Sequence, residues 1–388
     1  MSVTFLRKAL PAAMVAAVSG QALAIEPANF QVGGMTFTPT VKLSESYDDN
    51  FREVASPDEE SSWITTIEPS FVLAAQDRMN VYSLGYRFNS EFYHSSHDDD
   101  NTDHFLNADA HMEFTSRSRL DLAAAYSKQE DTGDTTSLVE NDKYHSYNVG
   151  GVYGYGAESA TMQLEFGANR AWKRYDNEGA LNLDKERDTD SLSATAYYRV
   201  APKTRALFEV RYNDYDYVTF NTLDSDSMAY LLGLTWDATA RTTGTAKIGY
   251  EEKDFDDAAR KDPSATVWEV GVSWQPRSYS TFTLNTRQGI DEGSVEENFI
   301  ETTTTSLNWN HAWSSYLSTD VNFSHTEEDY DNVANRQDEK DSIALGLNYE
   351  MRRWLSLGLG YKYTERDSNV AAENFDRNLV QASATLSF

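Results

Sequence analysis

The densest set of metal-ligating side chains in the sequence is HSSHDDDNTDH, His94–His104, with three histidines and four aspartates. Imidazole and carboxylate are ordinary ligands for divalent metals, and His94, His97, Asp99 and His104 are the candidates to hold one. Their spacing follows no metal motif, and the stretch lies between two amphipathic runs. It therefore reads as the solvated acidic tip of a loop, with no metal and no other cofactor expected. Catalysis needs a nucleophile, a base and an orienting group that converge. With seven histidines and no cysteine, no such arrangement stands out, and the chain does not read as an enzyme. Four echoes, YDDN (47–50), YDNE (175–178), FDDA (255–258) and YDNV (330–333), set a ring before acids. These read as interfacial rings followed by water-exposed carboxylates.

Other charged side chains matter through their parity. Arg87, Glu91, Asp109, His111, Glu113, Glu165, Arg199, Glu209, Arg211, Lys247, Glu251, Glu269, Arg287, Asp320 and Lys362 each alternate with apolar residues. In RRWLSLGLGYKYTERD, for example, Leu355, Leu357, Leu359, Tyr361 and Tyr363 share one parity, and Ser356, Gly358, Gly360, Lys362 and Thr364 the other. A period of two is a strand with different surroundings on its two faces. If the apolar set meets lipid, the charged set lines a wet pore, with some of it salt-bridging the wall. Tyr82, Leu84, Tyr86, Phe88, Trp268, Val270, Val272 and Trp274 are typical of the outward set. Few rings carry inward parity (Tyr197 and Tyr215), which leaves little on which a sugar could stack.

The strand runs predicted in this way are 35–50, 62–75, 79–95, 102–115, 119–130, 142–156, 160–175, 188–200, 204–216, 226–238, 242–255, 264–275, 279–290, 299–313, 316–329, 340–350, 353–366 and 375–388. Ser62–Ala75 has irregular parity around Pro69. Short turns, many with Arg or Lys, fall near 76–78, 116–118, 157–159, 201–203, 239–241, 276–278, 314–315 and 351–352. They alternate with longer acidic connections, none much above a dozen residues. This pattern predicts an all-β, transmembrane, antiparallel up-and-down barrel of about 18 strands, with short periplasmic turns and short acidic outer loops. A barrel of that size leaves an aqueous lumen unless something fills it. No plug and no long constricting loop is evident, so a fairly open pore, or one gated by a partner, is expected.

Composition agrees. The net charge of −29 argues against nucleic acid as a partner, since that affinity rests on basic contacts to phosphate. The 23 Tyr, 18 Phe and 8 Trp argue against disorder despite a mean hydropathy of −0.61. Arg7 and Lys8, the apolar run that follows them, and Ala22–Leu23–Ala24 form a signal peptide over 1–24, with cleavage after Ala24. A short periplasmic segment, 25–34, would then precede a barrel over 35–388. Outer-membrane lipid and lipopolysaccharide are the expected surroundings.

The last eight residues, QASATLSF, alternate and end on an aromatic residue. They resemble the signal read by the barrel-assembly machinery, with Gln381 at its polar position and Leu386 and Phe388 at its apolar ones. Ser383 stands where that signal has Gly. The opening strand FTPTVKLSESYDDNF (Phe37–Phe51) and the repeated S/T-R-x-x-L-x-L-x-x-x-Y hairpins resemble the outer-membrane β-barrel porin family associated with capsule and exopolysaccharide gene sets. The resemblance spans the mature chain. It implies a channel of the Gram-negative outer membrane that takes part in exporting exopolysaccharide or capsular polysaccharide, with a periplasmic polysaccharide-export protein as partner. Two alternatives stand beside it: a general small-solute porin, and a structural or surface-interaction barrel.

Overall fold

The computed structural model describes residues 28–388 apart from 134, 138–139, 158, 240, 296 and 333–334. The expected signal peptide and its cleavage site after Ala24 lie outside the described residues. In chain order the strands are β1 Phe30–Val32, β2 Met35–Asp48, β3 Ser62–Asp77, β4 Asn80–Tyr93, β5 Asn101–Thr115, β6 Ser118–Asp131, β7 Asp142–Tyr155, β8 Met162–Tyr175, β9 Arg187–Ala201 and β10 Thr204–Tyr217. They continue as β11 Ser225–Thr239, β12 Thr242–Phe255, β13 Ser264–Arg277, β14 Ser280–Asp291, β15 Glu297–Ala312, β16 Leu317–Asn332, β17 Gln337–Arg352, β18 Leu355–Ser368 and β19 Phe375–Ser387. All belong to one antiparallel sheet in which each strand pairs with its sequence neighbours.

Strand β19 also pairs with β2, from Ser387 opposite Thr40 to Leu379 opposite Asp48, and this closes the cylinder. Closure removes the open edge, so the backbone donors and acceptors of the ladder are satisfied within the membrane. Eighteen strands, β2 to β19, form the barrel. The three-residue β1 lies in the segment expected to precede it and pairs with Met35–Phe37, where β19 has already ended. It covers an otherwise bare stretch of edge beside the seam.

Two expectations are corrected. The parity of β3 is regular. Its register to β2 runs unbroken from Ala74 opposite Thr36 to Ser62 opposite Asp48. On the other side the ladder to β4 lapses at Glu68–Pro69 and resumes in the same register, as expected where proline has no N–H to give. Some short turns also lie one to two residues beyond their predicted places, at 78–79, 278–279 and 353–354. Bulges at Glu113/Thr115, Trp236/Thr239, Trp274/Arg277 and Glu350/Arg352 carry pairing further into the polar turn residues than periodicity suggests.

The two faces differ as the alternation requires. On β11, Leu232 is 63% exposed to the lipid side while Leu231 is 1% exposed on the lumen side. A tilted strand of 14 residues rises roughly 35 Å, against an apolar band of about 25 Å. Near the short turns the outward residues stay aromatic or apolar, as at Phe114, Trp274, Trp313 and Trp354. Near the loops they are charged. Asp190, Asp214, Asp226 and Asp254 face one another across β9 to β12. Like charges directly opposite repel, so this end stands in water beyond the hydrocarbon. The strands therefore overshoot the membrane on the loop side.

Candidate functional site

The functional surface of such a barrel is its lumen, and the sequence fixes the set of side chains that face it. By register the predicted residues share one face of the sheet, the face that carries the buried Leu231. Arg87 donates to Glu68 at 2.7 Å, and Glu91 accepts from Tyr93 Oη at 3.1 Å. Asp109 accepts from Ser83 at 3.2 Å. His111 lies between Asp121 at 2.5 Å and Glu113 at 3.6 Å. Glu165 pairs with Arg119 and accepts from Tyr197 Oη at 3.0 Å. Arg199 donates to the carbonyls of Ala160 and Pro202.

Glu209, Arg211, Lys247 and Glu269 form one network, with Lys247 Nζ 3.1 Å from Glu209 and 2.6 Å from Glu269. It flanks the buried Ala229, Leu231 and Val267. Leu231 lies over Gly249, where a Cβ would come within 2.1 Å of the Tyr230 carbonyl oxygen. Arg287 bonds Asp291 at 3.0 Å, and Asp320 accepts from Asn348 at 2.9 Å. Glu251 and Lys362 share this face, by register with Ala229 and Leu379.

The wall carries both signs of charge, and Arg87 on β4 and Arg119 on β6 sit among carboxylates. On β4 to β6 the lumen side carries Glu91, Asp103, Asp109, Glu113, Asp121 and Asp131. Among the described residues none of these has a Lys or Arg partner within 4.0 Å. On β8 to β12 it carries Lys173, Arg187, Arg211, Lys247 and Lys253 beside Glu165, Glu209 and Glu251, and on β17 to β19 Lys340, Lys362, Arg366 and Arg377 beside Asp338 and Glu350. A solute crossing the lumen thus meets charges of both signs.

Inward rings are more numerous than the two the sequence suggests. Tyr93, Phe105, Tyr144, Tyr175, Tyr215, Tyr217, Phe255, Tyr330 and Phe375 join Tyr197. Three of the four aromatic-acid echoes therefore point a ring (Tyr175, Phe255, Tyr330) into the lumen, while Tyr47 alone faces out, against Trp63. Parity within each strand was the available signal, since Tyr175 shares it with Gln163 and Glu165. Most of these rings are covered by cations. Arg87 lies 4.1 Å from the Phe105 ring, Lys173 4.3 Å from Tyr144 and 4.8 Å from Tyr175. Lys253 lies 4.8 Å from Tyr215 and 4.9 Å from Phe255, Arg336 4.6 Å from Tyr330, and Arg366 4.8 Å from Phe375. Such contacts are electrostatic attractions to the ring face. Tyr93 and Tyr217 are 3% exposed and Phe375 5%. These rings pack the wall; they are not free platforms.

The mouth differs most from expectation. Although short, loop 1 (49–61) turns inward. Phe51 is fully buried against Tyr93 and Ile64, and Asn50 Nδ2 ties the loop to the carbonyls of Val54 and Asp376. Glu53 accepts from Arg377 at 2.8 Å and from Lys340 at 3.2 Å, both on the lumen wall. It does so at φ +56°, a region that non-glycine residues seldom occupy. From the other side loop 3 (132–141) reaches the same place, with Gly133 against the Phe51 carbonyl and the Glu53 side chain. Together they form a strap from the β6–β7 end to β17, across the rim. Loop 7 (292–296) also bends in. Glu292 pairs with Lys253 and accepts from Tyr217 Oη at 2.7 Å, and the Val295 N–H approaches Asp184 of loop 4 (176–186) at 3.4 Å. Short as they are, loops 1 and 3 meet one another at the rim.

At the water-exposed loops, burial pushes the Asp224 carboxyl above its ordinary range. Asp216 and Asp256 act in the same direction, against the hydrogen bond Asp224 accepts from the Tyr217 N–H. Burial works against the charge on Arg336, but hydrogen bonds to Asp338 outweigh it and raise its affinity for the proton.

The metal candidates do not come together. His104 is on β5 facing outward, bonded to Tyr86 Oη at 2.9 Å. His94 contacts Thr65 at 2.9 Å, His97 contacts Asp100 at 3.3 Å, and the buried Asp99 pairs with Arg52 at 2.7 Å. Gln381 faces the lumen, whereas Leu386 pairs with Leu355 on the lipid side and Phe388 lies exposed.

Among the described residues Lys253 and Glu292 form a deeply buried ion pair, with side chains 2% and 8% exposed. Lys253→Met leaves the carboxylate uncompensated and is expected to lower stability by about 3 kcal/mol. Restoring the balance with Glu292→Leu should recover most of it. The check is urea-induced unfolding from vesicles followed by Trp fluorescence, and a wild-type midpoint for the single variant would contradict it.

A family model described as "Putative beta-barrel porin 2" matches residues 23–388. Among solved structures, OpdO of Pseudomonas aeruginosa is similar at 13% identity, covering 91% of this chain and 97% of that one with a TM-score of 0.50. The outer membrane protein opdK from Pseudomonas aeruginosa is similar at 12% identity over 91% and 99%, with a TM-score of 0.49. At these identities the likeness concerns the fold. A comparison with curated proteins found no match.

Proposed function

Because this chain belongs to the Putative beta-barrel porin 2 family, an outer-membrane barrel crossing the bilayer many times, we propose that it is a diffusion channel for small hydrophilic solutes. One observation supports this reading: loops 1 and 3 meet at the rim, where Glu53 holds Lys340 and Arg377, and in this reading they narrow the outer mouth of a wet, charged lumen. General porins need such a constriction, because a bare barrel of this strand number is too wide to discriminate. Export of a sugar polymer, the expectation raised by the family resemblance, calls instead for a wide exit or for rings bared along the path. Here the inward rings are largely buried or capped by cations, which favours the small-solute reading.

The test uses the purified chain in liposomes and planar bilayers. Discrete channel currents are expected, with uptake of monosaccharides and amino acids and exclusion of long dextrans. Deleting the gene should leave secreted polysaccharide unchanged. A silent barrel, combined with loss of the secreted polymer on deletion, would overturn the proposal.

A further inference from the structure

We propose that the barrel carries a site for the phosphate of an anionic phospholipid of the inner leaflet, between the two neighbouring turns that join β11 to β12 and β13 to β14. A cleft of about 390 Å³ opens there, lined by Arg241, Gln275, Arg277, Ser278 and Tyr279. Its floor is fixed by the Gln275 N–H, which donates to the Arg241 carbonyl at 2.7 Å. Two arginines and two hydroxyl-bearing residues, Ser278 and Tyr279, line it, and no carboxylate does. A guanidinium presents a planar fork of donors that matches phosphate oxygens two at a time.

The second observation says which phosphate. Tyr279 meets His311 edge-on at 5.4 Å, and His311 lies 4.2 Å from Trp313 and 5.4 Å from Trp309. Trp309 stacks on Phe282 at 5.9 Å, and Phe282 on Trp274 at 5.3 Å. This continuous aromatic surface faces outward at the short-turn end of β13 to β15, at the depth where amphipathic rings meet headgroups. Tyr279 belongs to both features. A lipid lying against the rings thus brings its phosphate to the cleft, whereas a free anion gains nothing from them. The site rests on the outer-membrane placement of the barrel and is independent of which solute the lumen passes.

The test is lipid retention by the full-length chain. The barrel is refolded in vesicles of phosphatidylcholine with a minority of phosphatidylglycerol, extracted in mild detergent and read by native mass spectrometry. The wild type is expected to keep phosphatidylglycerol preferentially. Arg241→Ala with Arg277→Ala should reduce that preference about tenfold, the worth of one charge-assisted contact, while Arg353→Ala at another turn should not. Heat-modifiable gel mobility verifies folding, and Arg277→Gln alone serves if the double variant fails to insert. Equal retention by the cleft variant and the Arg353 variant would overturn the proposal. So would displacement of the lipid by millimolar inorganic phosphate, which marks a site for soluble anions.

Discussion

Replacing Glu53 by alanine is expected to raise single-channel conductance severalfold and to move ion preference toward anions. The carboxylate is the link between the loop 1 strap and the wall at β17 and β19, accepting from Arg377 and Lys340. Its backbone sits at φ +56°, a conformation that costs of order 1–3 kcal/mol for a residue with a side chain. Without the two ion pairs that strain is no longer offset at Glu53, and the tip of the strap loosens, while the buried Phe51 and the Asn50 hydrogen bonds keep the base of the loop attached. Arg377 retains Asp48 at 2.6 Å, so the wall itself stays assembled. Lys340 loses its partner and adds positive charge at the rim. Glu53→Gly separates the two contributions, since glycine accepts the backbone conformation while still lacking the carboxylate. It should change ion preference as alanine does, with a smaller rise in conductance. Glu59, exposed at the tip of the same loop, should tolerate alanine without effect. Conductance and reversal potential across a salt gradient give the answer, and wild-type values for Glu53→Ala would refute the strap as the constriction.

The second large effect concerns the outer wall. Leu232 is at the middle of β11, points to lipid, and is flanked in register by Phe208 and Ile248. Leu232→Arg should lower the stability of the inserted barrel by about 2–4 kcal/mol, the cost of a cation at the bilayer midplane. The control is Gly346→Arg on the lumen face of β17, where a Cβ has ordinary contacts and Asp320 stands alongside. A cost within about 1 kcal/mol is expected there, because the new charge meets water and a carboxylate. Urea titration of refolding into large vesicles measures both. Equal penalties at the two sites would mean that the interior is not wet.

Much of this molecule is legible from its sequence for one physical reason. Strand faces alternate with a period of two, so parity alone assigns Arg87, Glu165, Lys247 and Lys362 to one face and Tyr82, Phe208 and Trp274 to the other. Neighbouring hairpins give strand order without further information. Parity also holds the inward rings; at Tyr175, Phe255 and Tyr330 the acids that follow obscure it, because those acids belong to the loop end and the rings to the strand before it. Pro69 misled in the opposite sense: a missing donor interrupts one ladder without moving the register.

The sequence by itself determined a closed antiparallel barrel, its strand number, its lipid-facing and wet faces, and the charges on each. These are set by residues within a few positions of one another. Only the tertiary structure decided what happens at the mouth. Glu53 is 287 residues from Lys340 and 324 from Arg377, and these groups meet only once β19 has joined β2. Which loop leans inward, and which cation covers which ring, follow from that closure. No local pattern encodes them, because the partners come from strands that closure alone brings together.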